Sequence, residues 1–154
     1  MAIIEQRLAE LGIELPEQHP PMAHYVSVQR EGDLLFLSGA GPLKDGKATV
    51  TGRLGENLTV EQGYAAAREA GLSLLATLKR ELGDLDRVEQ IVKLLGFVAS
   101  TDDFFAQPSV INGTSDLLNE VFGEKGRHAR SAVGTNVLPF RVPVEVEAIV
   151  RIRD

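Results

Sequence analysis

Residues 142–152, close to the C-terminus, constrain the fold more than any other segment, because apolar and polar side chains alternate along them. Successive side chains of a β-strand point to opposite faces of its sheet, so this alternation predicts a strand with one apolar face. The apolar set is Val142, Val144, Val146, Ala148, Val150 and Ile152. The opposite face carries Glu145, Glu147, Ile149, Arg151 and Arg153. The apolar face needs a hydrophobic layer packed against it.

Two predicted helices can supply this layer. Thr59 and Gln62 have the spacing of a capping box, and apolar residues follow at helical intervals, so a helix is predicted at 59–82. A second helix is predicted at 108–122, with a proline suited to its first turn and a glycine after its last. Gly113 interrupts the second helix, where we expect the helix to lie close on the sheet.

Further strand-like segments, separated by turns, complete an α+β order. They lie at 25–30, 33–42, 48–51, 88–100 and 131–137. Residues 1–20 form an N-terminal extension, in which a short amphipathic helix with a glycine stop precedes a proline-rich irregular segment. We therefore predict a single domain over 1–154, an α+β two-layer sandwich with two long helices on one face of a mixed sheet.

Two of these strands, unlike 142–152, are apolar on both faces. Along 33–42, Leu35 and Leu37 oppose Leu34 and Phe36. Along 88–100, one face is expected to carry Ile91, Leu95, Phe97 and Ala99, and the other Val92, Leu94 and Val98. Such strands are covered on both sides, and two helices cover only one face, so we expect another copy of the chain on the second face. The alternative is that the N-terminal helix and loops cover it within one chain.

The composition excludes several classes of function. The net charge is −6, so a nucleic-acid polymer would be repelled at long range and a small ligand is favoured. The absence of cysteine excludes disulfides, thiolate metal sites and a cysteine nucleophile. No apolar run approaches the ~18 residues of a membrane span, and the N-terminus lacks the apolar core of a signal peptide. We expect a cytoplasmic protein without membrane partners.

The stretch "GEKGRHARSAVG" places basic side chains beside a predicted strand in this acidic protein. Arg130 immediately precedes that strand, and its guanidinium is a planar, permanently charged fork of donors that matches a carboxylate. We interpret Arg130 as an anion clamp in a small-molecule site between subunits. The alternative is an ion pair with Glu145 or Glu147 that serves the structure only. A partly buried Glu145 would have a raised pKa and could handle protons or water.

Other residues carry weaker signals. Gly39 and Gly41 end a predicted strand and would let a ligand approach backbone N–H groups. Packing is the default role for Tyr25, and a solvent-facing or capping role is the default for Asn112. The histidines have no metal-ligand spacing, so no metal site is predicted; they are His19, His24 and His128.

Several motifs, taken in order, resemble one known family. They are "YVSV", "LFLSGAGP", "FVASTDDF", "INGTSDLLNEVFG" and "RHARSAVGTNVLPFRVPVEVEAIV". Together they resemble the YjgF/Rid family, which includes the reactive intermediate deaminases and carries the older label endoribonuclease L-PSP. The resemblance covers about residues 22–152. The N-terminal helix and the "GRHARSAVG" motif are typical of a distinct subgroup.

The resemblance implies a chorismate-mutase-like fold and a homotrimer, in which the open sheet faces pack into a central barrel with three clefts between subunits. It also implies a reaction that needs no metal or cofactor, the hydrolysis of 2-aminoacrylate and related 2-imino or 2-enamino acids to 2-keto acids and ammonia. The family's carboxylate-binding arginine corresponds to Arg130, and its water-positioning acid to Glu145. The remaining substrate-binding positions correspond to Tyr25, Ser38, Gly39 and Asn112.

The expected function is therefore imine or enamine deamination of a small carboxylate-bearing metabolite. One alternative is a protein that binds a keto acid without turnover. Ribonuclease action, which the older family label names, is disfavoured by the acidic charge and by the lack of a stripe of aromatic and basic residues.

Overall fold

A mixed β-sheet with two long helices packed on one face forms the body of the protein. A computed structural model describes residues 2–18 and 23–154 of the chain. The helices are α1 (Ile3–Glu10), α2 (Val60–Leu82) and α3 (Gln107–Phe122). The strands are β1 (Val28–Glu31), β2 (Leu34–Ala40), β3 (Leu43–Lys44), β4 (Lys47–Ala48), β5 (Val88–Ala99), β6 (Ala129–Thr135) and β7 (Val144–Ile152).

The main sheet has the spatial order β1-β2-β7-β5-β6, and β3 and β4 form a separate hairpin. β5 and β6 run parallel, with α3 as the crossover between them, whereas the other neighbouring strands are antiparallel. β1 and β6 are therefore the two edges of the sheet. The predicted α+β order and mixed sheet are confirmed.

Local signals set the two long helices. The Thr59 side chain accepts from the Gln62 backbone N–H, and the Gln62 side chain accepts from the Thr59 N–H, so the predicted capping box is present. The expectation for Gly113 is wrong: a Cβ there would overlap the backbone carbonyl of Tyr64 on α2, not the sheet. Gly113 therefore allows close contact between the helices, and Gly96 of β5 provides the space in the sheet, beneath Ile111.

The hydrophobic core lies between these helices and the sheet. The predicted apolar set of the last strand is buried, with exposures between 0% at Val150 and 6% at Ala148. Leu75 of α2 and Leu117 of α3 are fully buried above it. Leu8 of α1 joins the same core, so α1 packs on the helix side of the sheet, against α3. The alternative in which the N-terminal helix covers the opposite face is therefore wrong.

The faces predicted for 88–100 need a correction. The register between β5 and β7 shifts between Ile91 and Lys93, which marks a bulge. An extra residue in one strand reverses the alternation beyond it. Ile91 consequently lies in the core with Leu94, although the sequence placed it with Leu95, and Val92 is 36% exposed.

Several predicted strand limits are also wrong. β1 begins at Val28, so Tyr25 lies in the bend before the strand and does not begin it. β4 ends at Ala48, where a longer strand at 48–51 was expected. β6 begins at Ala129, so Arg130 lies within the strand and not in front of it. Where each strand begins and ends depends on its pairing with residues distant in the sequence. The local composition does not show this pairing.

The second face of the sheet is open in the described chain and carries apolar side chains beside the polar residues Glu145, Glu147 and Arg151 of β7. Phe36 and Val133 are each 42% exposed there, and Leu95, Phe97 and Ile149 are half-buried. The predicted two-sided character of the strands is thus present. Among the described residues, no helix combines the length and the apolar character needed to cross a membrane.

Candidate functional site: an arginine cluster and a glutamate cluster

β6 places Arg130 on the helix side of the sheet edge. Arg130 is paired in register with Leu94 of β5, whose side chain is buried beneath the helices. Because β6 is an edge strand, the half-buried Arg130 side chain lies beside α3 and remains partly open to solvent.

Neutral groups of α3 hold the Arg130 guanidinium. Its Nη1 donates to Ser115 Oγ at 2.9 Å, and its Nη2 donates to the Pro108 carbonyl oxygen at 3.2 Å. None of the ion pairs formed within residues 2–18 and 23–154 includes Arg130. The guanidinium therefore keeps its charge uncompensated and has N–H groups that these two bonds do not use.

A hydrogen-bond chain continues from Arg130 through Ser115 to His128. The His128 Nδ1 lies 2.6 Å from the Gly126 carbonyl oxygen, so Nδ1 carries the proton and donates it. Its Nε2 is then an acceptor, and the Ser115 hydroxyl donates to it at 2.9 Å. Burial lowers the pKa of His128, and the nearby Arg130 charge lowers it further, although the bond to Gly126 opposes this.

Asn112 belongs to the same side of α3. It is exposed, and it follows Pro108 by four residues and precedes Ser115 by three. Residues at these spacings share one face of a helix. Asn112 therefore lies on the face that provides both partners of Arg130. We name Arg130, Ser115, His128 and Asn112 the arginine cluster.

Glu145 lies on the other face of the sheet. Its register partner in β5 is Phe97, on the open apolar face. Burial of the half-exposed carboxyl raises the pKa of Glu145, and the neighbouring Glu147 raises it further. A Cβ added to Gly39 would lie 2.8 Å from Glu145 Cδ, so the missing side chain at Gly39 provides the space in which the glutamate lies.

Ser38 connects Gly39 to the segment before β1. The register of β2 against β7 shifts between Leu37 and Ala40, so Ser38 and Gly39 form a bulge. The Ser38 hydroxyl donates to the Val26 carbonyl oxygen at 2.7 Å. The backbone N–H of Ser38 donates to the Ser27 carbonyl oxygen at 2.9 Å. Tyr25, 58% exposed, precedes these residues. We name Glu145, Gly39, Ser38 and Tyr25 the glutamate cluster.

The two clusters do not meet within one chain. Arg130 is level with the buried Leu94, whereas Glu145 is level with Phe97 on the opposite face. Glu147, level with Leu95, lies on that opposite face too, so the alternative in which Arg130 forms a structural ion pair with Glu145 or Glu147 within one chain is wrong. Within one chain the two clusters therefore lie on opposite faces of the sheet.

The described residues, 2–18 and 23–154, contain no group of three histidine, aspartate or glutamate side chains arranged to hold a metal ion. His19, which the sequence does not predict to be a metal ligand, lies outside these residues. The arrangement is instead suited to binding an organic anion through Arg130.

Residues 5–149 match the model of a protein family described as "YjgF/chorismate_mutase-like, putative endoribonuclease". The chain belongs to this YjgF family. Among its relatives is "Protein TCP17" of Trypanosoma cruzi, 46% identical over 152 residues, which are 98% of this chain and 95% of that protein.

Two solved structures resemble this YjgF family member closely. Atu1372, a protein of unknown function from Agrobacterium tumefaciens, is 45% identical with a TM-score of 0.90, over 98% of this chain and 94% of that one. A "putative endoribonuclease" from Shewanella oneidensis is 37% identical with a TM-score of 0.93, over 97% of this chain and 99% of that one.

Sequence reasoning missed Ser115 and left the role of His128 open. A signal for His128 was available, because residues two apart in extended chain share a face and His128 precedes Arg130 by two. No local pattern marks Ser115, since its contact with Arg130 depends on how α3 crosses the edge of the sheet.

Proposed function

We propose that the protein hydrolyses small 2-imino or 2-enamino acids, of the 2-aminoacrylate type, to 2-keto acids and ammonia. The observation that carries this proposal is the half-buried Arg130 guanidinium, held by neutral groups of α3 and without an ion pair among the described residues. Such a charge favours a ligand carboxylate, and each charge-assisted hydrogen bond contributes about 1.5–3 kcal/mol when sheltered. Membership of the YjgF family supports the same substrate class.

The proposal includes a homotrimer with the site in a cleft between protomers. The arginine cluster of one protomer would face the glutamate cluster of its neighbour, which joins groups that a single chain keeps apart. The exposed apolar side chains of the open sheet face, Phe36 and Val133 among them, support an interface there, because exposed apolar patches mark contact surfaces.

In this proposal Arg130 binds the substrate carboxylate and Glu145 manages the proton of water. An enamine first takes a proton at C3 and becomes the iminium ion. Water then forms a bond to C2 while Glu145 accepts its proton, and the π electrons of the C=N bond move to nitrogen. Glu145 passes this proton on to the amine nitrogen of the carbinolamine. The carbinolamine expels ammonia as its hydroxyl loses a proton, which leaves the 2-keto acid. Because burial raises its pKa, Glu145 is a stronger base than an exposed glutamate, which favours the step in which it accepts the proton of water.

An amino-acid oxidase that generates the imine, with semicarbazide to trap it, tests the proposal. Wild-type protein should accelerate imine loss, and Arg130→Ala should abolish this acceleration. The matched control is Arg127→Ala, because the Arg127 side chain is 72% exposed and pairs only with Glu124 among the described residues. Equal rates for wild type and Arg130→Ala across several amino acids would contradict the assignment.

A second candidate function is binding of a 2-keto acid without turnover. The uncompensated charge of Arg130 supports this function as well as it supports hydrolysis. A carboxylate-binding arginine explains affinity for the ligand and does not by itself explain hydrolysis. This function predicts that 2-keto acids raise the melting temperature of the wild type and not of Arg130→Ala, while the coupled assay shows no acceleration.

We also assign the chain to a subgroup with an N-terminal helix and the "GRHARSAVG" motif. The relatives from Trypanosoma cruzi and Agrobacterium tumefaciens each match 98% of this chain, which includes α1. Ribonuclease action remains the weakest candidate, because the net charge is −6.

A further inference from the structure

We propose that Ser115 and His128 are positioning residues, which fix the Arg130 guanidinium in the orientation that receives the ligand carboxylate. This inference rests on the proposed function of Arg130 as a carboxylate clamp. It assigns a role to two side chains that the proposed reaction does not otherwise use.

The direction of each hydrogen bond supports this role. The Gly126 carbonyl is fixed in the backbone and determines which nitrogen of His128 carries its proton. Nε2 must then accept, which orients the Ser115 hydroxyl proton away from Arg130 and leaves its lone pairs for Arg130 Nη1. A free arginine side chain populates many rotamers, and fixing one of them costs conformational entropy. The hydrogen bonds from Gly126 through His128 and Ser115 fix the Arg130 side chain before a ligand binds.

The burial of Ser115 also supports positioning over direct chemistry. A serine that donates to a histidine has the arrangement of a nucleophile and its base. Ser115, however, is buried in the middle of α3 with 9% exposure, and its oxygen already accepts from a guanidinium. Its oxygen therefore serves the arginine and does not face a substrate.

Substitution of Ser115 tests the role by separating KM from kcat. Ser115→Ala should raise the dissociation constant of a 2-keto acid and the KM of the imino acid about tenfold, the effect of losing one hydrogen bond of about 1.4 kcal/mol. The kcat should not change, because the reacting atoms are untouched. Ser73→Ala is the matched control, since Ser73 is also a buried helical serine, at 8% exposure, remote from Arg130 on α2.

Substitution of His128 separates positioning from packing. His128→Phe fills the space but cannot accept from Ser115, so affinity should fall as in Ser115→Ala. His128→Gln retains an acceptor, its Oε1, at about the reach of the histidine Nε2 and should restore most of the affinity. Equal affinity for His128→Phe and wild type would overturn the proposal.

A double-mutant cycle distinguishes failure of this inference from failure of the proposed function. In an Arg130→Ala background, Ser115→Ala should have no further effect on 2-keto acid binding. If Arg130→Ala binds as tightly as wild type, the carboxylate clamp itself is wrong. If Arg130→Ala loses binding but Ser115→Ala does not, the clamp stands and the positioning role is wrong.

Two readouts do not depend on turnover. The Nη–H groups of Arg130 should give slowly rotating NMR signals in the wild type, and Ser115→Ala should make this rotation fast, whereas Ser73→Ala should not. Unchanged rotation in Ser115→Ala would overturn the proposal. Labelling of Ser115 by a fluorophosphonate probe would also overturn it, because Ser115 would then be a nucleophile.

Discussion

Gly39 shows how a single missing side chain shapes the candidate site. A Cβ at this position would approach Glu145 Cδ to 2.8 Å, so Gly39→Ala should displace the carboxylate. The glutamate is flexible, and we therefore expect a loss of stability of at most about 1 kcal/mol but a large fall in kcat. Coupled-assay kinetics and urea unfolding of the same variant measure the two effects.

The control for this prediction is Gly41→Ala, two residues further along. A Cβ there would lie 3.4 Å from the Val144 carbonyl oxygen, which is close to ordinary contact. Gly41→Ala should therefore retain kcat. If both alanine variants, or neither, lost activity, the contact between Gly39 and Glu145 would not explain the glycine.

Glu145 also predicts a dependence of stability on pH. Its folded-state pKa is raised above 4.5 by burial and by Glu147, so the native state holds this proton more tightly than the unfolded chain. The associated stabilisation is complete at acidic pH and is lost as the pH rises through the folded pKa. Glu145→Gln should therefore melt at a higher temperature than wild type at pH 7, and this difference should shrink as the pH approaches 4.5.

Thermal melts across this pH range measure the effect, with Glu31→Gln, an exposed glutamate at the end of β1, as the control. A melting temperature for Glu145→Gln below that of wild type at pH 7 would mean that the charged form is stabilised by the fold. The charged carboxylate that the proposed reaction needs would then not reduce the stability of the native state.

The elements differ in how far their own sequences determine them. The capping box at Thr59 and the alternation from Val142 to Ile152 are local, so α2 and the buried face of β7 could be predicted. The bulge near Val92 could not, because an extra residue in a strand is visible only against its partner. The side of the sheet that Arg130 occupies depends in the same way on the parallel pairing of β6 with β5.

The contact between α2 and α3 makes a prediction at the scale of elements. Gly113→Ala improves helix propensity by about 1 kcal/mol, but its Cβ would overlap the Tyr64 carbonyl, which is backbone and cannot rotate away. The helices must then separate, and we expect a net destabilisation of about 1–3 kcal/mol. Urea unfolding compares this variant with Asn119→Ala, an exposed site on α3 that should change the free energy of unfolding little. A Gly113→Ala protein as stable as wild type would show that the helices do not need this close approach.

At the scale of the whole molecule, the position of the clusters on opposite faces links the proposed assembly to the proposed activity. An isolated chain holds Arg130 and Glu145 apart, so the proposed reaction requires neighbouring protomers. The sequence names both groups as candidates, yet it could not place them on opposite faces, because the sheet order that separates them is a property of the complete fold.

Mixed oligomers test this connection directly. Arg130→Ala and Glu145→Gln should each be inactive alone, because every cleft of either variant lacks one essential group. In trimers co-expressed from equal amounts of the two variants, each cleft takes its arginine from one protomer and its glutamate from the next. The cleft is intact when the first protomer is Glu145→Gln and the second is Arg130→Ala. Random assembly produces this pairing in about a quarter of clefts, so the purified mixture should recover about a quarter of wild-type activity. Recovery would show that the site is shared, whereas a mixed trimer without activity would show that neighbouring chains do not complete it.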